Sequence, residues 1–369
     1  MTDSTPASAG TPAVRFLWTM AVALIGGILF SLLSIPIPWL LGPMLAIFLF
    51  SRTKVAIRPY WPQSVRNTGM IIVGYSIGLA FTASTVAQIG EQLPTMVLMT
   101  TLLLVFCAGI AWTIAKLAGL PFPTAITGSI PGGLTQMVTL ADETEHIDVT
   151  VVTFLQVSRL MMIIFIVPML IFSPLFGGQH DAAEAIASHS GSWSALFPGI
   201  LSYAVICTAA ALIGRRIHFP TAFMLCPLLA TAALNLIGLE GPPLPDDILS
   251  ASQFMIGGYI GMLLKPEQLQ QKLRIITLAL VSGAVLISGS IGLSLLLMQL
   301  HPELSAATAF LSLAPGGMDQ MGIIAHEVGA NLAVVTCYQL FRTLFIFLAV
   351  PPLLRILFIG LQRRARQQA

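Results

Sequence analysis

The sequence predicts an all-α polytopic membrane protein built from two inverted repeats, and three observations lead to this class. Of the 369 residues, 56% are hydrophobic and only 9% are charged, whereas soluble domains carry about 25% charged residues. A chain with so few charges cannot cover a soluble surface, so most of it must face lipid or other apolar segments. The second observation is a series of long apolar segments, and the third is an internal duplication.

The apolar segments fall into two sets of six, separated by a polar stretch. A membrane-spanning helix needs about 20 apolar residues, and the candidate segments are 16–34, 37–52, 66–84, 95–118, 122–140, 149–176, 195–213, 219–238, 249–264, 273–300, 306–325 and 332–361. The predicted organisation is a disordered N-terminus (1–14), a first membrane repeat (15–176), an external polar linker (177–192), a second membrane repeat (193–361) and a basic cytoplasmic tail (362–369).

The two sets of segments repeat each other's sequence. The motif PGGLTQM at 131–137 matches PGGMDQM at 315–321 in five of seven positions, 184 residues further along. Other matches follow in the same order at an offset of 184, or of 183 when a one-residue gap is allowed. They pair Pro36 with Pro220, Pro43 with Pro227, Gly74 with Gly257, Gly78 with Gly261, Glu143 with Glu327, Gln156 with Gln339, Arg159 with Arg342 and Pro168 with Pro351. Such an ordered series indicates a duplication.

The charges between segments predict that the second repeat is inverted, because cytoplasmic loops of membrane proteins are rich in Lys and Arg. The loop after the second segment is basic in the first repeat and acidic in the second, and the next loop shows the reverse. In the loop after the second segment, the first repeat has Arg52, Lys54, Arg58 and Arg66, whereas the second repeat has Glu240, Asp246 and Asp247. In the next loop, the first repeat has Glu91, whereas the second repeat has Lys265, Lys272 and Arg274. The arginine-rich tail is therefore expected in the cytoplasm.

Inverted repeats joined directly require an odd number of crossings each, so one of the six segments in each repeat does not span. The Pro-Gly-Gly segment is the candidate, because proline removes a backbone donor and each glycine weakens a helix by about 1 kcal/mol. We predict a broken or re-entrant element there, which leaves about five spanning helices in each repeat. In the alternative, this element crosses and another segment does not.

Broken helices at membrane depth expose backbone groups that lipid cannot satisfy, so they occur where they are buried in protein or line a wet cavity. Two breaks in inverted repeats are typical of a transporter site near the midplane, where half-helix N-termini attract anions and free carbonyls hold cations. A kink that serves only helix packing is the alternative. The candidate substrate- or ion-binding residues at the breaks are Pro131, Gly132, Gly133, Thr135, Gln136, Pro315, Gly316, Gly317, Asp319 and Gln320.

Asp319 is the carboxylate that distinguishes the two motifs, since Thr135 occupies the equivalent position. Intramembrane acids often bind Na⁺ or carry a proton, whereas an Asp after the glycines can also cap the following half-helix. Glu327 is a further candidate, because the acids and histidines after each break are either solvated or part of a vestibule or proton relay.

Arg159 and Arg342 lie deep inside the last apolar segment of each repeat, where a charge costs at least about 2.5–3.5 kcal/mol. Gln156 and Gln339 precede them by three residues and therefore share a helix face with them. We predict an interior location for all four. They either face an anion or form structural ion pairs with Asp319, Glu143 or Glu327.

Two further patterns predict structure. The spacing Gly74-x₃-Gly78, repeated as Gly257-x₃-Gly261, is typical of close helix packing. The four cysteines stand singly in apolar segments with no C-x-x-C pair, so we expect inert core thiols and neither a disulfide framework nor a zinc site.

The duplicated P-G-G-x-x-Q-M signature resembles the AbrB-type membrane protein family, over nearly the whole chain. More distantly, the breaks and the buried polar helix face resemble the bile-acid/sodium symporter and cation–proton antiporter superfamily. That resemblance implies inverted repeats with broken helices that cross at the centre. Members of the AbrB-type family are also described as regulators of gene expression and as ammonia monooxygenases.

The function expected from the sequence is a secondary transporter of a small organic or anionic solute, coupled to H⁺ or Na⁺ by alternating access and without other cofactors. The alternative is a membrane sensor that affects gene expression through partners. A monooxygenase is least favoured because the histidines are scattered and show no ligand spacing. Direct binding to nucleic acid is not expected, because the sequence has no basic soluble module. The expected location is a bacterial-type inner membrane, where the protein is surrounded by lipid and has both termini in the cytoplasm. A homodimer is a further expectation for the assembly.

The inverted arrangement predicts that the linker and the C-terminal tail lie on opposite faces of the membrane. In a cysteine-free background, single cysteines at Gly178 and Gln367 should be labelled by a membrane-impermeant maleimide from opposite sides. Labelling of both from the same side would contradict the inversion.

Overall fold

In the computed structural model every regular element is an α-helix throughout the described residues, which are 11–35, 37–52, 58–132, 137, 141, 147–173, 193–197, 199–217, 219, 221–263 and 273–368. The helices are α1 (Pro12–Leu32), α2 (Pro38–Arg52), α3 (Gln63–Leu79), α4 (Ala83–Ala118), α5 (Phe122–Ser129), α6 (Val149–Ile171), α7 (Trp193–Leu196), α8 (Gly199–Arg216), α9 (Ala222–Leu236), α10 (Asp246–Leu263), α11 (Leu273–Leu300), α12 (Ala306–Leu313), α13 (Met318–Glu327) and α14 (Leu332–Gln368).

Six of these helices are long and apolar enough to cross a membrane, by length and composition. They are α1, α4, α6, α8, α11 and the first part of α14, whereas α2 and α9 are shorter apolar helices of 15 residues each. Large apolar side chains such as Leu32 (78% exposed) and Ile25 (66% exposed) project outward from α1, as expected for a helix whose surroundings are lipid. The predicted class of a polytopic helical membrane protein is therefore supported.

The third and fourth segments differ from the prediction. The helix α4 begins at Ala83 and runs through Pro94, so Glu91 lies within a helix rather than in a loop. Proline is compatible with this position because neighbouring groups in membrane helices re-satisfy the freed carbonyl. The inversion of the repeats relative to the membrane stays a prediction.

The predicted helix break is present in the second repeat. The segment expected at 306–325 is divided into α12 and α13, and Ala314 has the extended backbone angles φ −55°, ψ 130°. In the first repeat α5 ends at Ser129, and Ile130 has nearly the same angles, φ −67°, ψ 130°. A residue that precedes proline is driven out of the helical region by the proline ring. Pro131 and Pro315 therefore explain why α5 and α12 end where they do.

The described helices form two compact units, and each unit combines parts of both sequence repeats. Unit 1 contains residues 1–83 and 177–267, and thus α1–α3 and α7–α10. Unit 2 contains residues 84–176 and 268–369, and thus α4–α6 and α11–α14. The broken helices of both repeats belong to unit 2.

Unit 1 is packed through reciprocal contacts between glycines and backbone carbonyls. A methyl group added to Gly74 on α3 would collide with the carbonyl oxygen of Met224, and one added to Gly257 on α10 would collide with that of Leu40. Leu40 and Met224 are 184 residues apart, so each repeat makes the same contact with the other. The glycine spacing therefore marks close helix packing, as predicted.

Unit 2 surrounds the broken helices with long ones. The short helix α5 packs on α6, and α12 packs on α14, while α11 contacts both α6 and α12. The interior is apolar and includes Leu103 and Cys107 of α4, both fully buried. All four cysteines of the chain are free thiols, two of them buried and two half-buried.

Candidate functional site

The first break in unit 2 is held by two side chains of α6. The last carbonyl groups of a helix have no partner inside it, and here Gln156 and Arg159 supply the donors. The Gln156 amide donates to the carbonyls of Thr127 (2.9 Å) and Ile130 (3.0 Å). Arg159 Nη1 donates to the carbonyls at 128, 129 and 130 at 3.4, 3.2 and 3.0 Å, and its Nη2 donates to Gln156 Oε1 at 2.5 Å.

The second break has the same arrangement on α14. The Gln339 amide donates to the carbonyls of Leu311 (2.6 Å) and Ala314 (3.0 Å). Arg342 Nη1 donates to Ala314 at 2.8 Å, its Nη2 donates to the carbonyl of Gly316 at 2.9 Å, and Nη2 also bonds Gln339 Oε1. Each repeat therefore ends its half-helix with an Arg–Gln pair, which we call the Arg–Gln cap.

The opposite ends of the same helix pairs are joined by threonine hydroxyls. Thr124 Oγ1 in α5 accepts the backbone N–H of Asp148 (3.2 Å), and Thr308 Oγ1 in α12 accepts that of Asn331 (3.0 Å). Asp148 then caps α6 by accepting the N–H groups of Thr150 and Val151. Each short half-helix is thus fixed at both ends to the long helix that follows it in sequence.

The breaks themselves are tight turns that crowd a glycine. The Gly132 N–H donates to the carbonyl of Ile130 and the Gly316 N–H to that of Ala314, both at 2.8 Å, which is the hydrogen bond of a γ-turn. A methyl group on Gly316 would lie 2.5 Å from Met321 Cε and 3.1 Å from Ile163 Cγ2 of α6. The second break therefore packs directly against the helix that caps the first one.

Both caps place a guanidinium group in the interior of unit 2, which confirms the predicted location. Arg159 is 9% exposed and Arg342 is 4% exposed. In the described part of the chain their hydrogen bonds end on carbonyls and on a glutamine of the same helix. The Asp319 side chain and Glu143 lie outside the described residues, so the pairing of the arginines with carboxylates stays a prediction.

The occupied carbonyls bear on the kind of ion that the breaks attract. A guanidinium already lies among the carbonyls that end α5 and α12, so a cation bound to the same oxygens would be repelled by it. These carbonyls are therefore unfavourable for Na⁺, and the binding of an ion at the breaks stays a prediction. The positive N-terminal end of α13 and the two guanidinium groups favour an anion instead.

The remaining predicted residues lie around the second break or outside the described residues. Pro315 is buried, Gly317 precedes α13, and Gln320 accepts the Gly317 N–H at 3.2 Å, which is half of a capping box. Asp319 is in the first turn of α13, and its side chain is outside what the structure describes; Glu327 ends that helix, half-buried. Of the first motif, Pro131 and Gly132 are described, whereas Gly133, Thr135 and Gln136 are not.

The fold and the site define a helical membrane protein with two copies of a capped, broken helix. A family model described as "Transition state regulatory protein AbrB" matches residues 39–358, and the chain belongs to this AbrB family. It is 26% identical over 346 residues to "Putative regulator AbrB" of Escherichia coli (strain K12), covering 94% of this chain and 97% of that protein. It is also 24% identical over 368 residues to "Uncharacterized protein YhjN" of Bacillus subtilis (strain 168), covering 93% of each.

The cap predicts that Arg342 stabilises the protein through its fork of donors as well as its charge. Arg342 Nη1 also donates to the carbonyl of Leu313 at 3.4 Å. In Arg342→Met the carbonyls of Leu313 and Gly316 lose this donor, and each unsatisfied buried polar group costs about 1–3 kcal/mol. We expect the free energy of unfolding in detergent to fall by about 2–4 kcal/mol. Arg342→Lys should recover only part of it, because a lysine cannot donate in two directions from a planar group.

The matched control is Arg215→Lys at the exposed end of α8, which should leave stability within about 0.5 kcal/mol. Full stability of Arg342→Met would show that the arginine does not cap the break.

Proposed function

We propose that the protein is a secondary transporter of a small organic or anionic solute, coupled to a H⁺ or Na⁺ gradient by alternating access. The supporting observation is the pair of broken helices within one unit, each with the same Arg–Gln cap. Discontinuous helices in both copies of a repeat are typical of transporter sites near the bilayer midplane. A continuous helix would bond its own carbonyls, so a buried guanidinium is required only because the helices are broken.

The charge of the site favours an anionic solute. Two guanidinium groups lie in the interior, and α13 adds the partial positive charge of a helix N-terminus close to the second break. Gln320, 5% exposed, lies in the first turn of that helix. A negatively charged group near these elements would be attracted by all of them, in an interior where water screens little.

The coupling ion is assigned to a carboxylate rather than to the broken backbone. The carbonyls that a Na⁺ ion would use are bonded to the caps, and Asp319 and Glu327 are the acids on α13. We place proton or Na⁺ coupling on Asp319 first, because the first repeat has Thr135 at that position and so provides no equivalent charge.

A second candidate function is a membrane sensor that affects gene expression through partner proteins. It is favoured by the names of the family and of the relative from Escherichia coli, both of which refer to a regulator. Solute flux into proteoliposomes supports the transporter, whereas binding without flux supports the sensor. For either function we propose a bacterial-type inner membrane, with both termini in the cytoplasm and no enzymatic activity.

The coupling proposal predicts a specific effect of removing the Asp319 charge. After a thermal-shift screen of small organic anions has identified a solute, Asp319→Asn should still bind it but lose the dependence of flux on the H⁺ or Na⁺ gradient. Asn has nearly the same size and keeps a side-chain oxygen, while it removes the charge. Asp319→Thr, which copies Thr135, should behave in the same way.

The measurement is gradient-driven uptake across pH 5.5–8.5, with Glu91→Gln as the control because Glu91 is an exposed carboxylate on α4. Unchanged coupling in Asp319→Asn would move the role to Glu327, and the absence of flux for every bound solute would contradict the transporter.

A further inference from the structure

In unit 1 the described acids and a group of four arginines lie at opposite ends. Arg66 is in the first turn of α3, with its guanidinium carbon 4.9 Å from the centre of the Tyr259 ring near the end of α10. Towards the end of α3, the Tyr75 hydroxyl donates to the carbonyl of Pro242 (2.7 Å), shortly before α10 begins. The two helices are therefore antiparallel, and the described acids of unit 1 lie at the end opposite Arg66. These acids are Glu240, Asp246 and Asp247.

Three more arginines lie near the start of α3. Arg15, in the first turn of α1, donates from Nε to the carbonyl of Arg58 at 2.9 Å, and Arg58 belongs to the segment between α2 and α3. The indole N–H of Trp61 in the same segment donates to the carbonyl of Met255 on α10 at 3.1 Å. Arg52 is the last residue of α2. We call this group the basic end of unit 1, and it consists of Arg15, Arg52, Arg58 and Arg66.

Aromatic rings accompany the guanidinium groups of the basic end. Besides the pair of Arg66 with Tyr259, the guanidinium carbon of Arg15 lies 5.6 Å from the centre of the Tyr60 ring, and that of Arg52 lies 4.8 Å from the centre of the Phe48 ring. Such cation–π contacts hold a guanidinium in place. Because a ring has no net charge, they leave the positive charge uncompensated.

Carboxylates of the described chain do not neutralise this charge. Within the part of the chain that the structure describes, Arg52, Arg58 and Arg66 form no ion pair, and Arg52 and Arg58 are exposed. The sequence adds Lys54 between α2 and α3, and residues 264–272 after α10 contain two lysines and one glutamate. The basic end therefore carries an excess of positive charge.

An exposed apolar face of α1 continues from the basic end. Trp18 follows Arg15 by three residues, so the two share a helix face, and its side chain is 54% exposed. Ile25 and Leu29 continue the same face and are also exposed. Exposed tryptophan next to arginine is typical of the membrane surface, and the apolar residues beyond them are typical of the hydrocarbon layer.

This sequence of groups matches a phospholipid with a net negative charge. A phosphate group is the anion that guanidinium groups recognise with paired hydrogen bonds, and the acyl chains attached to it would extend along Ile25 and Leu29. A zwitterionic phosphatidylcholine carries a cation beyond its phosphate, which four arginines would repel. A soluble anion would make no use of the apolar face.

We propose that the basic end of unit 1 binds the phosphate group of an anionic phospholipid, whose acyl chains lie on the exposed face of α1. Arg15 and Arg58 are adjacent and contact the phosphate, while Arg52 and Arg66 add to the local positive potential. The site belongs to unit 1 alone and does not depend on transport, because the broken helices belong to unit 2.

The test measures lipid binding by native mass spectrometry with the purified full-length protein in a neutral detergent. Phosphatidylglycerol should bind about tenfold or more tightly than phosphatidylcholine with the same acyl chains. Arg52→Gln and Arg58→Gln should each weaken the binding of phosphatidylglycerol about fivefold, the effect of one arginine at an anionic membrane surface. Arg58→Lys keeps the charge and should bind this lipid within about twofold of the unmodified protein.

The matched control is the double variant Arg215→Gln with Arg216→Gln, which removes two exposed arginines at the end of α8. It should retain the binding that the double variant Arg52→Gln with Arg58→Gln loses. Equal binding of the two lipids, an equal loss in the two double variants, or unchanged binding in the Arg52 and Arg58 variant would each overturn the inference. Displacement of the lipid by millimolar inorganic phosphate would also overturn it, because the ligand would then be a soluble anion.

Discussion

A helix that breaks inside a membrane must find partners for its last carbonyl groups within the protein, because lipid offers none. In this chain that requirement is met twice by an arginine and a glutamine three residues apart on a long helix further along the sequence. Arg159 and Arg342 tolerate burial because each guanidinium is surrounded by carbonyls that need donors. The long helices α6 and α14 supply rigid supports for the caps. The broken half-helices, their turns and the interior charge all depend on these hydrogen bonds from the capping side chains to the carbonyl groups.

The caps also restrict what the breaks can bind. In a site where carbonyls are free, a cation is the natural ligand, but here those oxygens are already bonded to cationic groups. The local field is therefore positive, which is the basis of our proposal of an anionic solute.

Much of the fold could be predicted from the sequence because its signals are local or repeated. The segment predicted at 37–52 is α2 (Pro38–Arg52), and Pro315 divides the helix where the prediction placed a break. The interior place of Arg342 followed from its depth in an apolar segment. Its partners could not be predicted, since a carbonyl carries no residue-specific signal and any acid in the sequence is a plausible partner. Thr124 and Thr308 were missed because threonine is common in membrane helices, although their identity at the repeat offset was a usable signal.

The central claim is that the buried arginine is required by the helix break, and a double-mutant cycle in the second repeat tests it most directly. One arm of the cycle is Arg342→Met. The other is a triple variant that favours a continuous helix, with Pro315, Gly316 and Gly317 all replaced by alanine. The free energy of unfolding is measured in one detergent for the unmodified protein, each arm and their combination. If the break creates the need for the cap, the loss caused by Arg342→Met should shrink by about 1–3 kcal/mol in the variant with the restored helix. Additive losses, within about 0.5 kcal/mol, would contradict the account.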